Sequence, residues 1–381
     1  MKLFNFPYVI RKEILYNMES SNIFLLSFVS EELREFIKTS QIRRYKNISH
    51  VEYNCCTTGE PFIYISYKGF MQLIMKIEER EETEQDYFPL NVSGKMIDFR
   101  MSNGFPAASY HPDERESVIK AIHNYFLDLF KNSVKYHWLA SDYNHPIVQL
   151  QNLSLTCNLN LDRNFADMEN LENFLSSAPV LKRVNMSVGT TTEPFSPDSK
   201  LYEAESIKVT QHSPTVPDIL SRFQGRQAFL RWTNNGGDLE LELWRFVNRW
   251  ISGETFQNLE YLKVEIPKTI GPQFLNLISA RRIDEEDQPP THTLPKVSVK
   301  PTVTMTQIIS ISIEDIKKLS TDNIYVDFGF EPNTEPITSH AYVVRRTDGH
   351  VASVKVQGLL FCFGVWNKTE DEFLKMVRSP Y

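Results

Sequence analysis

Cysteine is scarce in this chain, four among 381 residues. Cys55 and Cys56 are adjacent, while Cys157 and Cys362 stand alone in apolar segments, so no CxxC pair exists. That excludes a disulfide framework and a zinc knuckle as organising devices. Long hydrophobic runs are missing too. The first ten residues are apolar, but Arg11-Lys12-Glu13 ends the run well before signal-peptide or membrane length. The expectation is a soluble, intracellular protein, in the cytoplasm and/or the nucleus. A basic stripe interleaved with aromatics is also absent, and the net charge is -7. Neither nucleic acid nor membrane is therefore an expected partner.

The groups that would mark an enzyme are equally hard to find. Nine histidines are scattered, and His137 and His145 do not have metalloprotease spacing. His137 adjoins Trp138 in a strand-like run and reads as a half-buried structural histidine. There is no GxSxG elbow and no kinase motif set. Asn235-Gly236-Gly237-Asp238 lacks the lysine and the length of a phosphate loop, and reads as a turn with Asp238 capping a helix. The acidic clusters lack EF-hand spacing, and no cysteine has neighbours that would activate a thiolate. The expectation is a non-catalytic chain with no metal and no cofactor.

What the sequence does contain is ordinary globular composition, 41% hydrophobic and 23% charged, in a length that suits two domains. Its most informative stretch is Phe4–Lys38, which reads as three short helices. Pro7 stands in the first turn, where its missing N–H has no helical partner to lose. Ile10, Ile14 and Met18 then recur at helical spacing beside Leu15. Ser20, Ser21 and Asn22 can cap a second helix over about 23–29, apolar nearly all round, and Ser30 can cap a third carrying Leu33, Phe36 and Ile37. So small a unit cannot bury this much apolar surface alone. Arg43-Arg44-Tyr45-Lys46 follows as a basic exit, read as a solvated last turn.

This stretch resembles an F-box, the adaptor-binding module of substrate receptors in SCF (Skp–cullin–F-box) ubiquitin ligases. Phe6-Pro7, then Ile10, Ile14, Leu15 and Met18, then Leu25, Leu26 and Ser30 carry the likeness. Phe6 replaces the commoner leucine, and Glu31-Glu32 follow where the family often has a basic residue. The resemblance implies that Phe6, Pro7, Ile10, Ile14, Leu15, Leu25 and Leu26 bind a Skp-type adaptor and, through it, a cullin ligase.

Beyond it, VEYNCC and FIYIS read as a hairpin-like pair, Phe70–Ile77 as a short helix, and Met96–Met101 as a strand. The run Glu78–Glu84 reads as a solvated acidic stretch. The clearest helix is Asp113–Lys131, with a stripe of Val118, Ile122, Phe126 and Leu129. Over 134–266 six short strands (VKYHWL, LQNLSLTCNL, LKRVNMSV, AESIKVT, QAFLRW, LEYLKVEI) alternate with helical spacing, which favours a parallel sheet. Leu150-Leu153-Leu155 and Leu259-Leu262-Val264 repeat the leucine-rich-repeat ending. The unequal intervals predict a degenerate repeat arc, with a closed doubly wound sheet as the alternative. Residues 281–302, acidic and then proline-punctuated, read as a mobile loop. Ala341–Arg346, Val351–Val356 and Leu359–Trp366 predict a closing β-meander with a type I′ turn at Asp348-Gly349.

The second part resembles the type 2 F-box-associated domain of nematode F-box proteins. The likeness rests on Phe229–Trp232, Asp238–Gly253 and Leu259-Glu260-Tyr261-Leu262. Arg345-Arg346, Asp348-Gly349, Ala352-Ser353 and Phe361-x-Phe363-x-Val365-Trp366 extend it. The expected class is α/β, with an F-box over 1–46, a connecting region over 47–133 and a substrate-binding, repeat-like domain over 134–381. The resemblance implies a substrate receptor holding an unidentified protein target. Trp250 and Trp366 read as core, and Trp244, out of phase with its helix stripe, is the candidate substrate contact. The alternative is a repeat-type binding scaffold unconnected with ubiquitin, its N-terminal helices a cap.

Overall fold

The computed structural model describes residues 3–55, 59–68, 70–81, 86–160, 167–188, 195–211, 215–232, 238–271, 273–297 and 333–378. They form an α/β chain of two compact units, one comprising residues up to Ser141 with His145–Leu155, the other Asp142–Asn144 with everything from Thr156 on. The two N-terminal segments expected as separate, 1–46 and 47–133, thus fall in one unit.

That first unit opens with helices α1 (Tyr8–Asn17), α2 (Ser20–Ser27), α3 (Glu31–Ser40) and α4 (Ile42–Tyr45). Strands β1 (Ile48–Cys55), β2 (Phe62–Tyr67), β3 (Phe70–Glu79), β4 (Phe88–Val92), β5 (Lys95–Ser102) and β6 (Phe105–Tyr110) follow, then helix α5 (Arg115–Phe130) and strand β7 (Lys135–Ala140). The sheet order is β7-β1-β2-β3-β6-β5-β4, mixed, with β7 parallel to β1 and β6 parallel to β3.

Strand β3 corrects the helix expected over Phe70–Ile77. Its register against β2 slips between Ile63 and Tyr64, leaving Ile74 as an extra residue. Such a bulge breaks strict alternation, so Ile74 and Met75 are both buried and the apolar pattern mimics a helix. The core between sheet and helices is aromatic. Phe24 of α2 meets Phe126 and Phe130 of α5 at 5.6 and 6.0 Å, and Phe28 meets Tyr125 at 4.6 Å. The Tyr125 hydroxyl donates to Ser27 Oγ at 2.5 Å, so the side of α2 toward α5 is tied as well as packed.

In the second unit all strands expected there form: β8 (Leu153–Asn160, in this unit from Thr156), β9 (Leu181–Val188), β10 (Ser206–Gln211), β11 (Gln227–Trp232) and β12 (Tyr261–Glu265). Between them lie α6 (Met168–Ser177), α7 (Thr215–Arg222) and α8 (Leu239–Ser252). The strands from β9 to β12 are mutually parallel. Ala228, Leu230 and Leu262 line one apolar pocket with Ile219, Leu220 and Phe246, so α7 and α8 cover one side of the sheet. At the strand starts an ion-pair ladder runs Lys182–Glu205–Arg226–Glu260, with Arg226 bonded to Glu205 at 2.8 Å and to Glu260 at 2.8 and 3.0 Å. Asp238 caps α8 as expected, accepting from the Leu241 N–H at 3.2 Å. Residues 235–237 of that turn lie outside the described residues.

Short elements α9 (Phe274–Leu277), β13 (Arg281–Arg282), β14 (Thr291–His292) and β15 (Ile337–Thr338) lead to the meander β16 (Ala341–Val344), β17 (His350–Gln357), β18 (Leu360–Thr369) and a last helix, α10 (Glu370–Arg378). Strand β18 pairs antiparallel with β12, so the meander does abut the last parallel strand. Two expectations need correction here. The Asp348-Gly349 turn is not type I′, because only Gly349 has positive φ, 72°. The loop is wider, closed by Arg345 N–H to His350 O at 2.8 Å and by the Arg345 guanidinium on Asp348. Nor is Arg281–Val297 a free loop: β13 pairs with β16, β14 with β15, and Ile283, His292 and Val297 are buried. His292 packs over Gly364, where any Cβ would come within 2.8 Å of its ring. Residues 298–302 lie outside the described residues.

Candidate docking surface of the N-terminal helices

Pro7 precedes α1 with φ -55° and ψ 149°, and its carbonyl accepts the first helical bond from Arg11 N–H at 3.1 Å. The helix that follows buries one residue, Leu15. Phe6, Val9, Ile10 and Tyr16 are 38, 72, 47 and 71% exposed, and Pro7 and Tyr8 are exposed as well. So apolar a helix with one buried residue leaves a surface that water solvates poorly. Phe4 and Tyr8 meet Phe36 of α3 edge-on at 6.0 and 5.9 Å, and the Arg11 guanidinium lies 4.8 Å from the Phe36 ring centroid. These contacts hold the start of α1 against α3.

The rest of the helical unit is built to stay folded. Ser30 caps α3 as expected, its Oγ accepting from Leu33 N–H at 3.2 Å. The cap of α2 differs: Glu19 holds the N-cap position with no side-chain bond, while Ser20 Oγ donates to Gln72 and Ser21 is buried. Arg44 is not a solvated last-turn cation. Both its Nη atoms donate to the Met18 carbonyl at 3.1 Å, satisfying the exposed end of α1. Tyr45 beside it is buried, which pushes its hydroxyl pKa well up.

Of the seven residues expected to contact an adaptor, Phe6, Pro7 and Ile10 are exposed together at the start of α1, and Ile14, Leu25 and Leu26 are half-buried. Leu15 is wholly inside, so it is a fold residue and not a contact. Val9, Tyr8, Phe4 and Tyr16 lie off the Ile10–Ile14–Met18 stripe, so helical spacing alone does not mark them. A sign was present, since a helix apolar on its other side as well leaves something uncovered. In the second unit Trp250 is fully buried, Trp366 is half-buried with its indole N–H donating to Ser353 at 2.9 Å, and Trp244 is half-buried.

Polar groups that might suggest chemistry are structurally engaged. His137 is half-buried, its Nδ1 2.7 Å from Ser154 Oγ. His123 sits between the Tyr53 hydroxyl (2.9 Å) and the Gln151 carbonyl (2.8 Å), and burial holds its pKa below the usual histidine value. Burial pushes the Cys362 thiol up to about 11 and Cys157 higher still. Among the described residues no three His, Cys, Asp or Glu side chains stand where they would hold a metal ion. No helix of the described residues is long and apolar enough to cross a membrane. Comparison with protein-family models, with curated proteins and with solved structures finds no match to this chain.

Proposed function

We propose that the chain is the substrate-recognition subunit of an SCF-type ubiquitin ligase, with α1 as the F-box docking helix and the second unit holding a protein target. In this reading β9 to β12, each strand followed or preceded by a covering helix, are a degenerate leucine-rich-repeat arc that the meander closes. The observation that carries the proposal is the unburied apolar surface of Phe6, Val9 and Ile10 beside Pro7, on a helix otherwise well anchored. Fully burying one such side chain is worth about 1.5–3 kcal/mol. Several together outweigh a substantial part of the entropy lost on association. The chain itself would perform no chemical step. It would bring target and catalytic subunits together, which is catalysis by proximity.

The scaffold reading draws on a different observation, the packing of Phe24 and Phe28 into the same unit as the sheet, which suits a cap. Co-expression with a Skp-type adaptor separates the two. The wild-type chain is expected to co-purify with the adaptor, and a Val9→Asp/Ile10→Asp variant, altered only at exposed positions, is expected not to. A soluble wild type that captures no adaptor rejects the receptor reading in favour of the scaffold.

A further inference from the structure

Strands β9 and β10 present a second side, away from α7 and α8. Register places Asn185 beside Lys208, with Arg183 beside Ser206 one row earlier and Thr210 one row later. Asn158 of β8 joins them, accepting from Asn185 Nδ2 at 3.3 Å. No carboxylate occurs among these positions of β8, β9 and β10, although the chain as a whole is acidic. On the neighbouring strands and at the strand starts cations are answered: Arg231 by Glu265 at 3.0 Å, Lys263 by Glu335 at 2.7 Å, Lys182 and Arg226 by the ladder. Arg183 and Lys208 have no such answer among the described residues. Arg183 is also half-buried, and burial alone lowers its pKa, with no acid to offset it.

A half-desolvated guanidinium without a counter-charge is an unfavourable arrangement, and an incoming carboxylate would relieve it through paired, charge-assisted hydrogen bonds. Ser206 beside Arg183 is buried, while the Asn158 and Asn185 amides and the Thr210 hydroxyl near Lys208 are not, and these can bond a peptide backbone. Arg183 and Lys208 are offset by one strand, ~4.8 Å, and by one row, ~6.6 Å. The two offsets combine to about 8 Å, and the component along the strands matches the ~6.6 Å between alternate side chains of an extended segment. We infer that this side of β8–β10 binds an extended, carboxylate-rich peptide segment, with Arg183 and Lys208 as its anion contacts. Phe229 is the aromatic next along the row, and it packs on Tyr261 at 5.3 Å instead of standing free for base stacking, which disfavours a nucleic acid. The inference deepens the receptor reading by naming the class of target, and it rests on that reading only for the word target.

Fluorescence anisotropy of the full chain tests it, with a labelled Glu/Asp-rich peptide, its Gln/Asn counterpart and a single-stranded oligonucleotide as probes. The acidic peptide is expected to bind and the neutral one not. Arg183→Glu/Lys208→Glu should weaken binding at least about tenfold, as should Arg183→Gln/Lys208→Gln, while Lys208→Arg retains it. Thermal unfolding of each variant guards against misfolding. Equal binding of both peptides, wild-type affinity in the charge-reversed variant, or preferential binding of the oligonucleotide would each overturn the inference. Adaptor capture run alongside keeps the two readings apart. Capture without peptide binding removes this face, and peptide binding without capture removes the receptor reading alone.

Discussion

Phe24→Ala tests whether the N-terminal helices and the first sheet form one structural unit. Phe24 is 1% exposed, and its ring meets Phe126 at 5.6 Å, Tyr45 at 5.9 Å and Phe130 at 6.0 Å. Truncating a buried Phe costs about 3–5 kcal/mol, through lost burial and the cavity left behind. Edge-on aromatic pairs add about 0.5–1.5 kcal/mol beyond area, so the upper half of that range, about 4 kcal/mol, is expected. Val9→Ala, at an exposed position, should stay within about 0.5 kcal/mol. Hydrogen exchange read by mass spectrometry localises the effect. A 4 kcal/mol loss speeds exchange about a thousandfold where opening is global to the unit, since each 1.4 kcal/mol is tenfold. The acceleration should therefore extend from α2 into β3 and α5. Faster exchange confined to residues 8–40, with β3 and α5 unchanged, would refute the argument that these helices share the sheet's core.

Two further outcomes concern the second unit. His292 Nε2–H donates to the Val365 carbonyl at 2.9 Å, Nδ1 is buried with no partner among the described residues, and burial holds the pKa below 6.5. As pH falls below 6.5 the unfolded chain takes up this proton before the folded one, so stability is full above that value and declines beneath it; thermal unfolding of His292→Gln should show a flatter acid limb, and an unchanged slope would remove His292 as the cause. Gly253 ends α8 at φ 78°, where a Cβ would stand 2.4 Å from Thr347 Cγ2. Gly253→Ala should cost more than about 1 kcal/mol by denaturant titration, and a neutral result would show that the loop carrying Thr347 yields freely.

The regular part of the fold was legible in the sequence. Every strand expected between VKYHWL and LEYLKVEI forms, because each is a short apolar-alternating run bounded by turn residues and a helical stripe. The failures share a cause, which is that partners distant in sequence decided the outcome. Phe70–Ile77 became a strand because β2 supplies its hydrogen bonds and a bulge hides the alternation. Ser20 left its capping role for Gln72, fifty-two residues on, and Arg44 turned inward to a carbonyl twenty-six residues back. The turn after β16 widened because Arg345, over the Trp250 ring at 5.2 Å, holds Asp348. In the N-terminal helices the apolar motif falls on α1, and exposure, which no local pattern encodes, puts Leu15 in the core and Val9 outside.

The ladder Lys182–Glu205–Arg226–Glu260 alternates in sign from one strand to the next, and each rung is also tied by backbone, as in Glu205 N–H to Leu181 O and Glu260 N–H to Arg226 O. Suppose β11 tried to dock on β9 before β10 had taken its place: Arg226 would face Lys182. Suppose β12 tried to dock on β10: Glu260 would face Glu205. Like charges set side by side are repelled, so skipping one strand is penalised at whichever point it occurs. Four side chains at the rim thus act as a parity check on assembly, rejecting arrangements that the interchangeable apolar interiors of these strands would accept.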